Sequence, residues 1–481
     1  MMVKFNTLIV CCLLLIFESS CKDDDVVKGN GEEEIVTGAS ERNLVRAMEL
    51  FDNAASAHFT GSGMAMARYY NPYTETKSDD IGSVWMYTSA IEAANSILKG
   101  LLEQKNNGNT ELYTLYFDHY SSMLSDLYEN LDYYEGTFKL TSYTQTKQWS
   151  VYGVNRSNSI GSAGVDGILN VYDDQMWLIR ELVDSYELTG EIEYLEKAEY
   201  LTDYVLDGWD CTLDNNGNEY GGITWGPGYT SKHACSNSPL ISALVLLHEI
   251  YENKSEEIAA LYIDPSDKVT RRLKYVNKGE YYLDFAKKIY FWQKDALLRS
   301  DGVYDDFMGG FYGNGPQFEV INGFTYRKAN PCPDRIGPAY SYNSGTMISG
   351  AAYLYKVTGD NIYLEDGKKL SDSSFEYFAK LGTTVPGYFT YSITGFNNWF
   401  NCVLMRGYLD MFSYHQDASL FINSFQDNLD YGYENFLYNG FLPTNLLVGW
   451  SQVSSNNRTE AMFNFTFASE YALLSCYELN K

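Results

Sequence analysis

Apolar residues recur at spacings of three and four along most of the chain, which sets them on one face of an α-helix. Between Gln175 and Leu188, Met176, Ile179, Leu182, Val183 and Tyr186 share a face. Thr189-Gly190 predicts the stop, since glycine takes the left-handed cap without steric cost. A second helix carries Leu195, Ala198, Leu201, Val205 and Trp209 inward, and a third, from Pro239, aligns Leu240, Leu244, Leu247 and Tyr251. The joint itself recurs. Thr189-Gly190-Glu191 followed by Tyr194-Leu195 returns as Thr358-Gly359-Asp360 followed by Tyr363-Leu364, with Tyr281-Tyr282-Leu283-Asp284 opening a further helix between them. The repeat is too long and degenerate for a tetratricopeptide array. Helical hairpins separated by long, aromatic-rich loops predict an all-α domain, a closed ring with its loops gathered over one mouth. No break in composition divides residues 41–481, which read as one domain.

The N-terminus follows another logic. Lys4 precedes an apolar run, Leu8 to Phe17, too short to span a bilayer permanently. Ser19-Ser20-Cys21 resembles the end of a bacterial lipobox, although Glu18 departs from the usual aliphatic residue. Residues 1–20 therefore read as a lipoprotein signal peptide and Cys21 as the lipidated residue. Lys22-Asp23-Asp24-Asp25 resembles the acidic signal that sends Bacteroidetes-type lipoproteins to the outer face of the outer membrane; an ordinary acidic linker has the same composition. Residues 21–40 read as a flexible tether.

Charge narrows the partners. At −28 the chain lacks the basic face that nucleic acid requires, and polyanionic substrates are disfavoured for the same reason, so a neutral polymer fits best. Tyrosine, phenylalanine and tryptophan make up 16% of the residues, an excess that either core packing or stacking on sugar rings explains. Beyond Cys21, cysteines 211, 235, 332, 402 and 476 are odd in number and scattered, and the five histidines are equally dispersed. Neither a disulfide framework nor a metal, haem or other cofactor site is implied.

Candidate chemistry centres on Val171-Tyr172-Asp173-Asp174-Gln175-Met176-Trp177, at the mouth of the first helix above. Carboxylates at a helix N-terminus can simply satisfy orphan N–H groups and the helix dipole. Glycosidic cleavage supplies a second reading, because it needs two carboxyl groups flanking one bond, one protonated and one ionised. Neighbouring carboxylates raise each other's pKa, which favours that division. Further on, Gly221-Gly222-Ile223-Thr224-Trp225-Gly226 is a glycine-rich loop whose Trp225 suits either a stacking platform or a buried turn. Its glycines allow close approach to a ligand, but no Lys-Ser or Lys-Thr pair follows to make a phosphate cradle. Ser231-Lys232-His233-Ala234-Cys235-Ser236-Asn237-Ser238 leads into the next helix. Tyr340 to Thr346 reads as a loop before a helix from Met347 to Val357, with Asn343 as its cap. Arg406, on a helix after Asn398-Trp399-Phe400, pairs either with a carboxylate near the site or, the favoured reading, within a structural ion pair.

Taken in order, these motifs resemble glycoside hydrolase family 76, the endo-α-1,6-mannanases and their transglycosylase relatives. Matching segments run through Trp85–Leu98, Tyr172–Trp209, Gly221–Asn237, Tyr282–Tyr304, Tyr342–Tyr363 and Trp399–Asp410. The resemblance implies an (α/α)6 barrel and a retaining double displacement, with Asp173 as nucleophile and Asp174 as acid/base. It also implies a sugar site lined by Tyr172, Trp177, Trp225, Lys232, Asn237, Tyr342 and Asn343. A monomeric enzyme acting on α-mannan at the cell surface, anchored through Cys21, is expected. His233 and Ser344 depart from the family pattern, where Asn and Gln are frequent, and both are expected to alter sugar contacts. A transglycosylase would use the same intermediate. Unsaturated glucuronyl hydrolases, on a similar barrel, need basic residues for a uronate, and a non-catalytic glycan-binding lipoprotein leaves the aspartate pair unexplained.

Overall fold

The computed structural model describes residues 38–309 and 315–481, and within it Gly38–Lys481 form one compact unit. The expected signal peptide, Cys21 and nearly all of the expected tether lie outside the described residues. Twelve α-helices are found among those described: α1 (Ala39–His58), α2 (Val84–Asn106), α3 (Glu111–Leu131), α4 (Tyr172–Thr189), α5 (Ile192–Leu206), α6 (Pro239–Tyr251), α7 (Lys278–Leu297), α8 (Ser341–Thr358), α9 (Asn361–Phe378), α10 (Asn397–Met411), α11 (Ala418–Phe436) and α12 (Ala461–Asn480). Ala39 and Ser40, expected in the tether, belong instead to α1, where Ser40 is buried and its hydroxyl donates to the Ser475 carbonyl at 2.7 Å.

The even-numbered helices pack on one another in sequence, and α12 returns to α2 to close the ring. Each odd-numbered helix packs outside an even one, giving the (α/α)6 barrel. The residue pattern enforces this division. α8 is buried nearly all round from Ser341 to Ala352, as a helix enclosed by others must be. Outer α3 buries only the stripe Leu112, Tyr120, Leu124, Leu127 and Leu131.

Inner helices pass to outer ones through tight turns at Gly190 and Gly359, both left-handed (φ 77° and 65°), the two expected stops. Connections from outer to inner helices are long, so the loops collect where the inner helices begin. These loops also hold strands that the helical reading did not include. Glu135–Thr141 pairs antiparallel with Thr146–Tyr152. Phe307–Met308 forms the centre of a three-stranded sheet between Lys232–His233 and Arg335–Ile336.

Much of the aromatic excess goes into the core. Tyr87, Tyr120, Tyr134, Tyr204, Tyr282 and Tyr408 are fully buried. Tyr134 donates to the Gly82 carbonyl at 2.8 Å and Tyr87 to the Leu127 carbonyl at 3.0 Å, as a buried phenol requires.

Candidate active site

Helix α4 opens on Val171, whose side chain offers no cap, so the two aspartates follow in the first turn rather than standing at the cap itself. Three ties hold this turn. The Tyr172 N–H donates to the Trp225 carbonyl at 2.8 Å, and the Gln175 amide both donates to and accepts from the Tyr152 backbone. The Tyr172 ring lies in the core against Tyr204, 5.1 Å between centroids. Asp173 and Asp174 are thereby fixed at the mouth of the barrel on a rigid element.

Their surroundings differ. Asp174 is buried, and that burial, together with the charge of Asp173, holds its carboxyl well above the usual range. Burial also raises Asp173, but only to about 6, because the Cys235 thiol, the Trp225 indole and backbone N–H groups of the first turn favour its anion. The Trp225 Nε1–H donates to Asp173 Oδ2 at 3.2 Å. One carboxyl is thus set to keep a proton at neutral pH while its neighbour is set to lose one.

A third carboxylate joins them. Burial lifts Asp306 to about 6, with the charge of Asp173 adding to the rise and the hydrogen bond from Tyr342, with the amide of Asn343 close by, opposing it. The Tyr342 hydroxyl donates to Asp306 Oδ1 at 2.8 Å. Neither Asp306 nor Cys235 carries a role in the sequence reading. Asp306 reaches the site only because Phe307 pairs with His233, a contact between strands 74 residues apart in number.

Behind Trp225 the rings of His233 and Phe307 form a stack, with centroids 4.9 and 4.6 Å apart and planes within 17° and 10° of parallel. Burial pushes His233 down to about 3, so the imidazole is neutral, with Nε2 2.8 Å from the Ser231 hydroxyl. Beneath the aspartates, Trp177 meets Trp399 edge-on at 4.7 Å, and Trp399 meets Trp85 at 5.1 Å, so three tryptophans from the starts of α2, α4 and α10 form a floor. Trp399 Nε1 donates to Glu92 Oε2 at 3.0 Å. The other Glu92 oxygen closes a buried ion pair with Arg406, the structural role expected for that arginine.

The structure therefore brings Asp173, Asp174, Trp225, Tyr342 and Asn343 together, with Trp177 just below. Lys232 and Asn237 lie elsewhere. Lys232 is buried, its Nζ 3.0 Å from Asp210 Oδ2 and 2.6 Å from the Gly221 carbonyl. Asn237 is fully buried, donating to the Ile223 and His233 carbonyls at 3.0 and 2.7 Å and accepting from the Ile223 N–H. Both satisfy backbone groups of the glycine-rich loop and brace it from behind, because a buried loop needs partners for its own polar atoms. The loop's glycines likewise accommodate protein, since a Cβ on Gly222 would run into the Trp292 ring. Asn343 and Ser344, expected in a loop, lie within the first turn of α8, where Tyr340 is the cap and Ser344 is fully buried. His233, facing Trp225 and Phe307, acts on the position of Trp225.

The model of glycosyl hydrolase family 76 matches residues 86–269 and 265–431. Among curated proteins, the mannan endo-1,6-alpha-mannosidase DFG5 of Candida albicans is 23% identical over 185 residues, 38% of this chain and 33% of that protein. The chain thus spans about a third of the length of this curated relative. Among solved structures, the family 76 glycoside hydrolase (mannosidase) Bt3792 from Bacteroides thetaiotaomicron superposes with a TM-score of 0.64 at 20% identity, over 91% of this chain and 99% of that one. An inactive variant of the α-1,6-mannanase GH76A of Salegentibacter sp. HEL1_6, in complex with α-1,6-mannotriose, superposes with a TM-score of 0.56 at 18% identity, over 90% and 99%.

Proposed function

The chain belongs to glycosyl hydrolase family 76, and on that premise we propose that it is an endo-acting, retaining hydrolase of α-1,6-mannosidic linkages in mannan backbones. The observation that carries this reading is the adjacent carboxyl pair at the barrel mouth, with Asp174 held protonated and Asp173 biased toward its anion. In the first step a carboxylate oxygen of Asp173 attacks C1 of the bound mannose. The C1–O6 bond breaks as Asp174 transfers its proton to the departing O6. In the second step Asp174, now ionised, takes a proton from water while that water's oxygen attacks C1 and displaces Asp173. Two inversions leave the configuration retained. Trp225 supports the Asp173 anion through its indole N–H, and Asp306 and Tyr342 offer polar groups to the sugar hydroxyls.

Reducing-end release from unbranched α-1,6-mannan, with the anomer of the first product followed by NMR, tests this directly. Retained α product supports the scheme. Inverted product would replace the double displacement, and cleavage confined to β-linked or uronic polymers would remove the substrate. For location, we propose anchoring on the outer cell surface through lipid on Cys21, supported by the apolar run, Ser19-Ser20-Cys21 and the acidic residues after it. Protease added to intact cells should then remove the enzyme; full protection until lysis would place it inside the outer membrane.

A further inference from the structure

A second set of ionisable groups lies away from the aspartates, among the C-terminal halves of the inner helices. There α2, α4, α8, α10 and α12 surround a cavity of about 560 Å³, within the size range of small-molecule sites. Lys99 lines it, exposed to the opening, and its ammonium makes neither a hydrogen bond nor an ion pair with any described residue. Arg180 stands 3.7 Å from Glu181 and 3.9 Å from Asp184, beyond hydrogen-bond length. Asp410 faces Lys99 and Arg180 and takes a hydrogen bond from Ser349. Arg406, also in the lining, closes into direct contact with buried Glu92, whereas Lys99, Arg180, Asp184 and Asp410 make no hydrogen bond with one another.

The sign of charge selects no simple ion. Lys99 and Arg180 stand opposite Glu103, Asp184, Glu187 and Asp410 in the lining, and burial raises Glu181 to about 8 and Glu187 to about 7. Such a wall offers strong donors beside strong acceptors. A hydroxyl group uses both at once, giving a proton to a carboxylate and accepting one from an ammonium or guanidinium. Half-buried Tyr353 and Phe412 add ring surface of the kind that covers the C–H face of a sugar.

We infer that this cavity is a second saccharide site, taking a mono- or disaccharide through Lys99, Arg180, Asp184 and Asp410. Asp184 is ten residues past Asp174 on α4, about 15 Å along the helix axis at 1.5 Å per residue, so the site is separate from the cleft. That its sugar is mannose rests on the proposed activity; the preference for a neutral polyol rests on the cavity.

The test uses the full-length Asp173→Asn/Asp174→Asn double variant with α-1,6-mannobiose, glucose and galactose, in soaked crystals and by calorimetry. Mannobiose is expected in the cavity as well as the cleft, with two sites in solution. Lys99→Ala and Asp410→Asn, added separately to the inactive protein, should each weaken the cavity site about tenfold or more, the scale of a lost hydrogen bond to a charged group. Neither should change the cleft site, nor mannan cleavage when placed in the active enzyme. A cavity that takes none of the three sugars, takes them at crystal concentration only, or binds with undiminished affinity in both variants overturns the inference. Sugar in the cavity with an empty cleft would keep this site and defeat the mannan reading.

Discussion

Replacing Trp225 with phenylalanine isolates one interaction of Asp173, the proposed nucleophile. The ring keeps its place on His233, while the Nε1–H that donates to Asp173 Oδ2 at 3.2 Å is lost. Hydrogen bonds to charged groups contribute about 1.5–3 kcal/mol net, and 3.2 Å lies at the long end of the N–H···O range, so the lower figure applies. A loss of about 1.4 kcal/mol on the anion alone is one pKa unit. Asp173, now near 6, should rise toward 7. The nucleophile must be ionised, so activity disappears as pH falls through this value, and removing a donor moves that loss to higher pH. The acidic limb of kcat/KM should therefore shift upward by about one unit. Rates well below the limb should drop close to tenfold, while rates above pH 8 change little. Profiles of kcat/KM against pH on linear mannan, with melting temperatures on the same preparations, measure this. An unmoved limb, or one displaced to lower pH, would refute the assignment of that limb to Asp173.

Asp173→Ala should nearly abolish turnover, with azide giving an inverted glycosyl azide. Asp174→Ala should impair poor leaving groups far more than activated aryl mannosides, and azide there should give retained product; a mere helix-start role predicts only about 0.5–2 kcal/mol of stability and a normal rate per folded molecule. Arg406→Met strands the buried Glu92 carboxylate and should cost about 3–5 kcal/mol in denaturant unfolding, much of it recovered by adding Glu92→Leu. Gly222→Ala places a side chain at φ 75° against Trp292; beyond the roughly 1–2 kcal/mol of a left-handed residue, it should dislodge the Trp225 loop and reduce kcat/KM, and a fully active, equally stable variant would contradict the loop packing.

The helices were legible where their apolar faces are strictly periodic. α4, α6 and the glycine stops of α4 and α8 needed nothing beyond local spacing. The sequence pattern starts α8 only at Met347, because Ser341 to Thr346 look like loop residues by composition, yet they are enclosed by neighbouring helices, where small side chains permit close packing. The aspartate pair was visible as a motif. Asp306 was not, since strand pairing across the mouth brings it in and no local pattern announces such a contact. Lys232 and Asn237 show the limit of a resemblance: it implies sugar contacts for both, whereas the structure commits their side chains to backbone carbonyls beside the glycine-rich loop and to Asp210.

The ring of inner helices closes at a seam between α12 and the first two helices. Ser40 meets Ser475, Ser96 meets Ser469 at 2.9 Å, and Asn464 meets the His58 ring at 2.8 Å. Ser40 and Ser475 stand 435 positions apart in the chain, so this wall joins its most distant described segments. A chain in which α12 is displaced would bare the apolar faces that α2 and α10 turn toward it, so the barrel depends on contacts between segments remote in sequence and not between neighbours alone.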